Sequence, residues 1–136
     1  MALRFIPHIH RATHRIGLHI QRLDRHVVNQ GEAHILAYLD EAGDATVADV
    51  HRAFAHRRST LTSILDRLEA RKLIVRKTDA RDRRTFVISL TAEGRRLAER
   101  VTAHLERFEA RILQRVSAAD LRACLRVLET VEAALD

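Results

Sequence analysis

One cysteine, one proline and four glycines in 136 residues exclude a good deal before any motif is sought. A single thiol, Cys124, cannot close an internal disulfide. A chain without that staple fits a reducing compartment, so a cytoplasmic protein is expected. So few glycines and prolines leave little room for a linker or a disordered tract. No apolar run approaches the roughly 20 residues that span a bilayer, and the apolar stretch before Pro7 is too short for a signal peptide. No membrane partner is expected. Enzyme signatures are missing as well: there is no Gly-rich phosphate loop, no HExxH and no nucleophile elbow. Neither an enzyme nor a cofactor is expected.

What is present is enough for one packed core, since 46% of the residues are hydrophobic. The net charge of +6 is unevenly spread. Between His56 and Arg84 lie ten basic residues and four acidic ones, a surplus of six that equals the net charge of the whole chain. Most of these cations are arginines, whose planar fork suits phosphate and guanine. The excess is the footprint expected for a polyanionic partner. The competing explanation is a solvated basic face.

Helical periodicity dominates the chain. A first helix is predicted over residues 7–29, with Ile16, Ile20, Leu23 and Val27 on one stripe. A second spans 31–42, carries Ile35, Leu36 and Leu39, and stops at Gly43. A short third is capped by Thr46 and lined by Val47, Val50 and Phe54. A fourth spans 58–72, with Leu61, Ile64, Leu65 and Leu68 pointing inward. The β-branched stretches 73–77 and 85–90 then form a hairpin with the charged tip Asp79-Ala80-Arg81-Asp82-Arg83-Arg84. Thr91 caps a long fifth helix bearing Leu97, Val101, Leu105, Phe108 and Ile112. Ser117 with Asp120 makes a capping box for a sixth that carries Leu121, Leu125, Leu128 and Leu135. The fold class is therefore mainly α with a small β-hairpin wing behind a helix-turn-helix. Apolar stripes at both chain ends exceed what a small DNA-binding lobe can cover, and a second copy is the simplest partner.

The segment 58–74, followed by 79–84 and by Val87-Ile88-Ser89-Leu90-Thr91-Ala92-Glu93-Gly94, resembles the recognition helix, wing and fifth-helix start of the MarR family of regulators. One departure is visible: Arg57 stands where family members often carry a Ser or Thr cap. The resemblance implies a triangular homodimer that binds double-stranded DNA at a pseudo-palindromic operator. It implies a transcriptional regulator, expected as a repressor, often released by small aromatic or phenolic acids, oxidants or metals. It divides the chain into a dimerisation helix at 1–30, a winged DNA-binding lobe at 31–90 and dimerisation helices at 91–136.

Candidate DNA contacts follow. Arg58, Ser59, Thr62, Ser63 and, one turn on, Arg67 share the polar face of the fourth helix, where small hydroxyls permit close approach to base edges. Thr60, at the boundary, suits a phosphate, and Thr46 and Arg57 open the two helices of the motif. In the wing, Arg84 is expected in the minor groove, oriented by Asp82, with Arg81 and Arg83 on phosphates. Nine histidines raise a metal alternative. Zinc-sensing relatives use a His at a position like that of His34, together with two His one turn apart on the fifth helix. Here Phe108 stands a turn beyond His104, and no acid or thiol completes a set. No metal site is expected, and a zinc-responsive regulator stays as the alternative. His14, His34 and His104 are candidates for a ligand pocket, and Cys124 is expected as buried filler. A dimeric adaptor without DNA binding is the remaining rival, and the intact Asp82-Arg83-Arg84 tip argues against it.

Overall fold

The computed structural model describes residues 2–23 and 29–135. The elements run α1 (Ile6–Gln21), α2 (Gln30–Ala42), β1 (Ala45–Thr46), α3 (Val47–Phe54), α4 (Arg58–Ala70), β2 (Ile74–Thr78), β3 (Phe86–Leu90), α5 (Ala92–Leu113) and α6 (Ala118–Ala133). The predicted first helix is too long at its end. α1 closes at Gln21, where the backbone amides of Arg22 and Leu23 reach back only three residues, to the carbonyls of His19 and Ile20. No glycine or proline marks this stop in the sequence. Val27 and His26 lie outside the described residues. The chain forms two compact units, Met1–Val101 and Thr102–Asp136.

In the first unit the expected inward residues do form the core. Ile35, Leu36 and Leu39 of α2 are buried with Val50 of α3 and with Leu61, Ile64, Leu65 and Leu68 of α4. Ile74, Ile88, Leu97 and Val101 join them. At about 25 cal/mol per Å² of apolar surface, each fully buried Leu or Ile contributes roughly 1.5–3 kcal/mol. The hairpin pairs Ile74 with Leu90 at its root and Thr78 with Phe86 near its tip. The sequence did not reveal β1, which is two residues long and pairs Ala45 with Ile88 and Thr46 with Val87. It gives an antiparallel sheet of order β1-β3-β2.

Two places show how tightly the recognition segment is tied to its neighbours. At the end of α4, the Leu73 amide donates to the Leu68 carbonyl (3.0 Å) and the Lys72 amide to the Glu69 carbonyl (2.9 Å). This is a Schellman cap, and it puts Lys72 at φ 60°, where glycine is favoured. At the start of α5, the Thr91 hydroxyl donates to the Lys72 carbonyl (2.7 Å), and the Thr91 amide donates to the Leu73 carbonyl (3.0 Å), whose oxygen is also 3.2 Å from that hydroxyl. A Cβ on Gly94 would stand 1.8 Å from that same oxygen, so only glycine lets α5 lie this close to the wing root.

In the second unit α6 begins with the expected capping box, the Asp120 amide donating to Ser117 Oγ at 3.0 Å. None of its described residues is buried, and Leu121, Leu125 and Leu128 are exposed. Cys124 is exposed as well, which corrects the expectation of a buried filler. It lies on a helix whose apolar side is uncovered in the single chain.

The strain at Lys72 gives a direct test. Lys72→Gly should raise stability by about 0.5–1 kcal/mol, and the melting temperature by roughly 3 °C. Unfolding scans in urea and heat measure it; a destabilised variant would refute the left-handed cap.

Candidate nucleic-acid interface

The two helices of the motif start differently. At α3, the Asp49 amide donates to Thr46 Oγ1 (3.0 Å) and the Thr46 amide donates to Asp49 Oδ2 (2.9 Å), a full capping box. These bonds hold the Asp49 carboxyl below its ordinary range. Thr46 is thus a half-buried cap and a strand residue at once. α4 has no such device: Arg57 occupies its cap position and makes no side-chain cap bond. Its side chain is exposed, as are Arg58, Ser59, Thr60, Thr62 and Ser63. Thr62 turns its hydroxyl back to the Arg58 carbonyl at 2.9 Å, so its proton is engaged within the helix. Between the helices, Ala55 closes α3 in the left-handed region at φ 51°.

Arg67 has a different setting from the rest of that face. Its Nε donates to Glu32 Oε1 at 2.6 Å. Glu32 is only 3% exposed, and the same oxygen accepts from Asn29 Nδ2 at 3.3 Å. Asn29 also caps α2, accepting from the Glu32 amide at 3.0 Å. Arg67 therefore ties α4 to the first turn of α2. Arg76 is tied too, through Nη2 to Asp66 (2.5 Å) and Nε to Glu69 (2.8 Å), and both bonds push its pKa up. The basic surplus is thereby sorted: Arg67 and Arg76 hold elements together, while Arg57, Arg58, Arg81, Arg83 and Arg84 face solvent.

The wing tip is a pair of side-chain turns. Asp79 Oδ1 accepts from the Arg81 amide (2.9 Å), and Asp82 Oδ1 accepts from the Arg84 amide (3.0 Å). Arg84 adds its guanidinium, with Nε 3.2 Å from Asp82 Oδ1 and Nη2 3.4 Å from Oδ2. The Arg84 side chain stays 90% exposed while it is held. Its hydrogen bonds, side chain first and backbone second, lower the Asp82 pKa. Between this tip, α3 and the first turn of α4 lies a cleft of about 660 Å³, bordered by Val47, Arg52, Arg58, Thr62, Arg84 and Phe86, with Ala48, His51, Leu61 and Thr85. The sequence reading missed His51, Arg52 and Phe86. The clue available was that α3 must cross beside the start of α4, which puts its polar side at the same surface.

The candidate pocket histidines do not share one setting. His14 is exposed on α1 and stacks against His10, ring centroids 6.1 Å apart. His34 is half-buried on α2, and burial first, then the neighbouring His56, lowers its pKa. His56 stacks on Phe54 at 5.8 Å, and Phe54 meets Tyr38 edge-on at 5.6 Å. His104 belongs to the second unit and is half-buried. Among the described residues no group of three His, Cys, Asp or Glu side chains could hold a metal ion. No helix there is long and apolar enough to cross a membrane.

Helices α3 and α4 with the β2–β3 wing define a winged helix-turn-helix. Residues 28–85 match the family model described as the MarR family. The chain is 33% identical over 105 residues to the HTH-type transcriptional regulator FarR of Neisseria gonorrhoeae, covering 75% of this chain and 72% of that one. It is 31% identical over 94 residues to the HTH-type transcriptional repressor MdtR of Bacillus subtilis, covering 69% of this chain and 61% of the repressor's length. Its fold superposes on MepR of S. aureus in its DNA complex with a TM-score of 0.83 at 24% identity, covering 99% of this chain and 100% of that one. The chain belongs to the MarR family.

Two measurements test this geometry. Arg67→Met keeps the volume but strands the buried Glu32 carboxylate, and should cost about 2 kcal/mol of stability in urea unfolding, less than the 3–5 of a fully buried pair because Arg67 is half exposed. An unchanged midpoint would dissociate Arg67 from the fold. For His34 the folded-state pKa lies below the ordinary value of about 6.5, so the unfolded chain takes up the proton first. Its contribution is present above pH 6.5 and lost as pH falls below that toward the folded value. The melting temperature should drop across this window, and the drop should shrink in His34→Gln.

Proposed function

We propose that this chain is a sequence-specific DNA-binding transcriptional regulator, a binding protein rather than an enzyme, that works in the cytoplasm as a homodimer. The observation that carries this reading is the Arg84–Asp82 pair: a guanidinium held in a fixed orientation by its neighbour yet 90% exposed at the tip of a wing. With α4 in the major groove, such a tip falls over the adjacent minor groove, where narrow A·T-rich DNA attracts an inserted arginine. Holding the side chain beforehand reduces the entropy lost on docking. Arg58, Ser59 and Ser63 then face base edges, and Thr62 offers its methyl and its oxygen lone pairs. Thr60, Arg57, Arg81 and Arg83 meet phosphates, and Thr46 positions α3. Arg67 acts through Glu32 by fixing the pitch of α4.

The three-part organisation (1–30, 31–90, 91–136) fits the exposure of Phe5, Ile6 and Leu18 at one end and of Leu121, Leu125 and Leu128 at the other. A second copy would cover these apolar faces, and a two-fold dimer would read half-sites roughly 10 base pairs apart. A small aromatic or phenolic ligand would release DNA only by binding the DNA-competent shape more weakly than the other. The half-buried His34, whose pKa is lowered by burial and then by the neighbouring His56, is a suitable hydrogen-bond partner for the carboxylate or phenol of such a ligand.

The test is a shift assay on the DNA upstream of the gene at several salt concentrations. Arg84→Ala should weaken operator binding about tenfold or more, while Arg95→Ala on α5 removes the same charge with a smaller loss. Asp82→Ala should also weaken binding, although it removes a negative charge. Tighter binding by a folded Asp82→Ala protein would show that the wing acts as a diffuse cation.

A further inference from the structure

The cleft of about 660 Å³ between α3, α4 and the wing has an apolar floor that contacts to bases and to the minor groove leave unused. Side chains alternate along a strand, so Phe86 faces the same way as Ile88 two residues on. Ile88 is fully buried, but at Phe86 the core has ended and the ring is 49% exposed. Among the large apolar side chains of residues 31–90, Phe86 and Val75 are the exposed ones, and of the two Phe86 lines this cleft. Val47 of α3 and the buried Leu61 of α4 line it with Phe86. Around this floor stand Arg58 on the α4 side, Arg84 on the wing side, and His51 and Arg52 on α3, with no carboxylate among the lining residues. Arg52 pairs with Asp49, which the capping box of α3 holds, and its side chain is still 72% exposed.

We propose that this floor seats one deoxyribose of the DNA backbone, with Phe86 under the sugar and Arg52 on the adjoining phosphate. This rests on the DNA-binding function, with α4 in the major groove and Arg84 in the adjacent minor groove. One sugar-phosphate strand divides those two grooves, so it must cross the space between Arg58 and Arg84. That space is the cleft. A deoxyribose presents C–H faces and carries no hydroxyl at C2′, so it can lie on an aromatic ring without leaving a polar group unpaired. Covering the exposed part of Phe86 removes apolar surface from water. The Arg52 guanidinium, already held on one side by Asp49, meets the phosphate with its open side. Phe86 is thus a positioning residue: it contributes affinity on any sequence and no charge.

Binding isotherms of the full-length protein test this, on the DNA upstream of the gene and on a random duplex of equal length, over a range of salt concentrations. Phe86→Ala should weaken binding to both duplexes by the same factor, roughly five- to tenfold, with the salt dependence unchanged. Arg52→Ala should instead flatten the slope of log K against log salt by about one for each protomer bound. Phe86→Leu, which restores an apolar floor, should recover most of the affinity, and Phe86→Gln, polar but of similar reach, should not. Melting curves establish which variants are folded, and Phe86→Gln carries the test if Phe86→Ala is not. Wild-type affinity in a folded Phe86→Ala or Phe86→Gln protein would overturn the proposal. A loss confined to the upstream DNA would overturn it too, by making Phe86 a reader of bases, as would an unchanged slope in Arg52→Ala. If the wild type binds neither duplex, the DNA-binding function itself fails; if the wild type binds and the Phe86 variants match it, the sugar contact alone fails.

Discussion

A carboxylate with almost no access to water must be compensated, and here the compensation comes from the recognition helix itself. Glu32 sits in the first turn of α2, where the helix dipole favours an anion. Its remaining need is met by Arg67, 35 residues further along. Losing that bond would leave a buried charge unpaired, so the structure tolerates little rotation of α4 about its axis. The hydroxyl-bearing face of α4 is consequently presented at a defined angle. The hydrophobic contacts of Leu61, Ile64, Leu65 and Leu68 would by themselves permit small slides along α2.

The same logic runs on to the wing. The end of α4, the entry to β2 and the start of α5 meet at Leu73, whose amide donates to the Leu68 carbonyl and whose own carbonyl accepts from Thr91. Helix and hairpin therefore share a joint without slack. Such a joint transmits the orientation of α4 to a tip five ladder pairs away.

Much of this was legible in the sequence, and the failures have physical reasons. The inward stripe of α4 and the caps at Thr46, Thr91 and Ser117 are local patterns, each decided by neighbours within four residues, and the hairpin joins two β-branched stretches across one short charged loop. The family resemblance pointed to the Asp82–Arg84 pair before its geometry was known. The end of α1 was not legible, since Leu23 continues the apolar spacing past the point where the backbone leaves the helix. β1 escaped because two residues carry no period. Arg67 and Arg76 could not be told from free cations, because their partners lie 35, 10 and 7 residues away in the chain. Cys124 was misjudged because next to Leu125 it reads as core, whereas α6 has no cover within its own chain.

The strand order β1-β3-β2 has one more consequence. β1 is too short to extend a sheet, but β2 runs for five residues with its outer edge unpaired among the described residues. An open edge of that length is a template for strands from other molecules. Arg76 and Lys77 stand on it, and like charges there repel a second hairpin arriving in the same way. Of the two, Arg76 is already neutralised by Asp66 and Glu69, which leaves Lys77 as the principal guard. Lys77, one residue short of the end of β2 and two before the wing tip begins at Asp79, is thus the charge that disfavours edge-to-edge association of two hairpins.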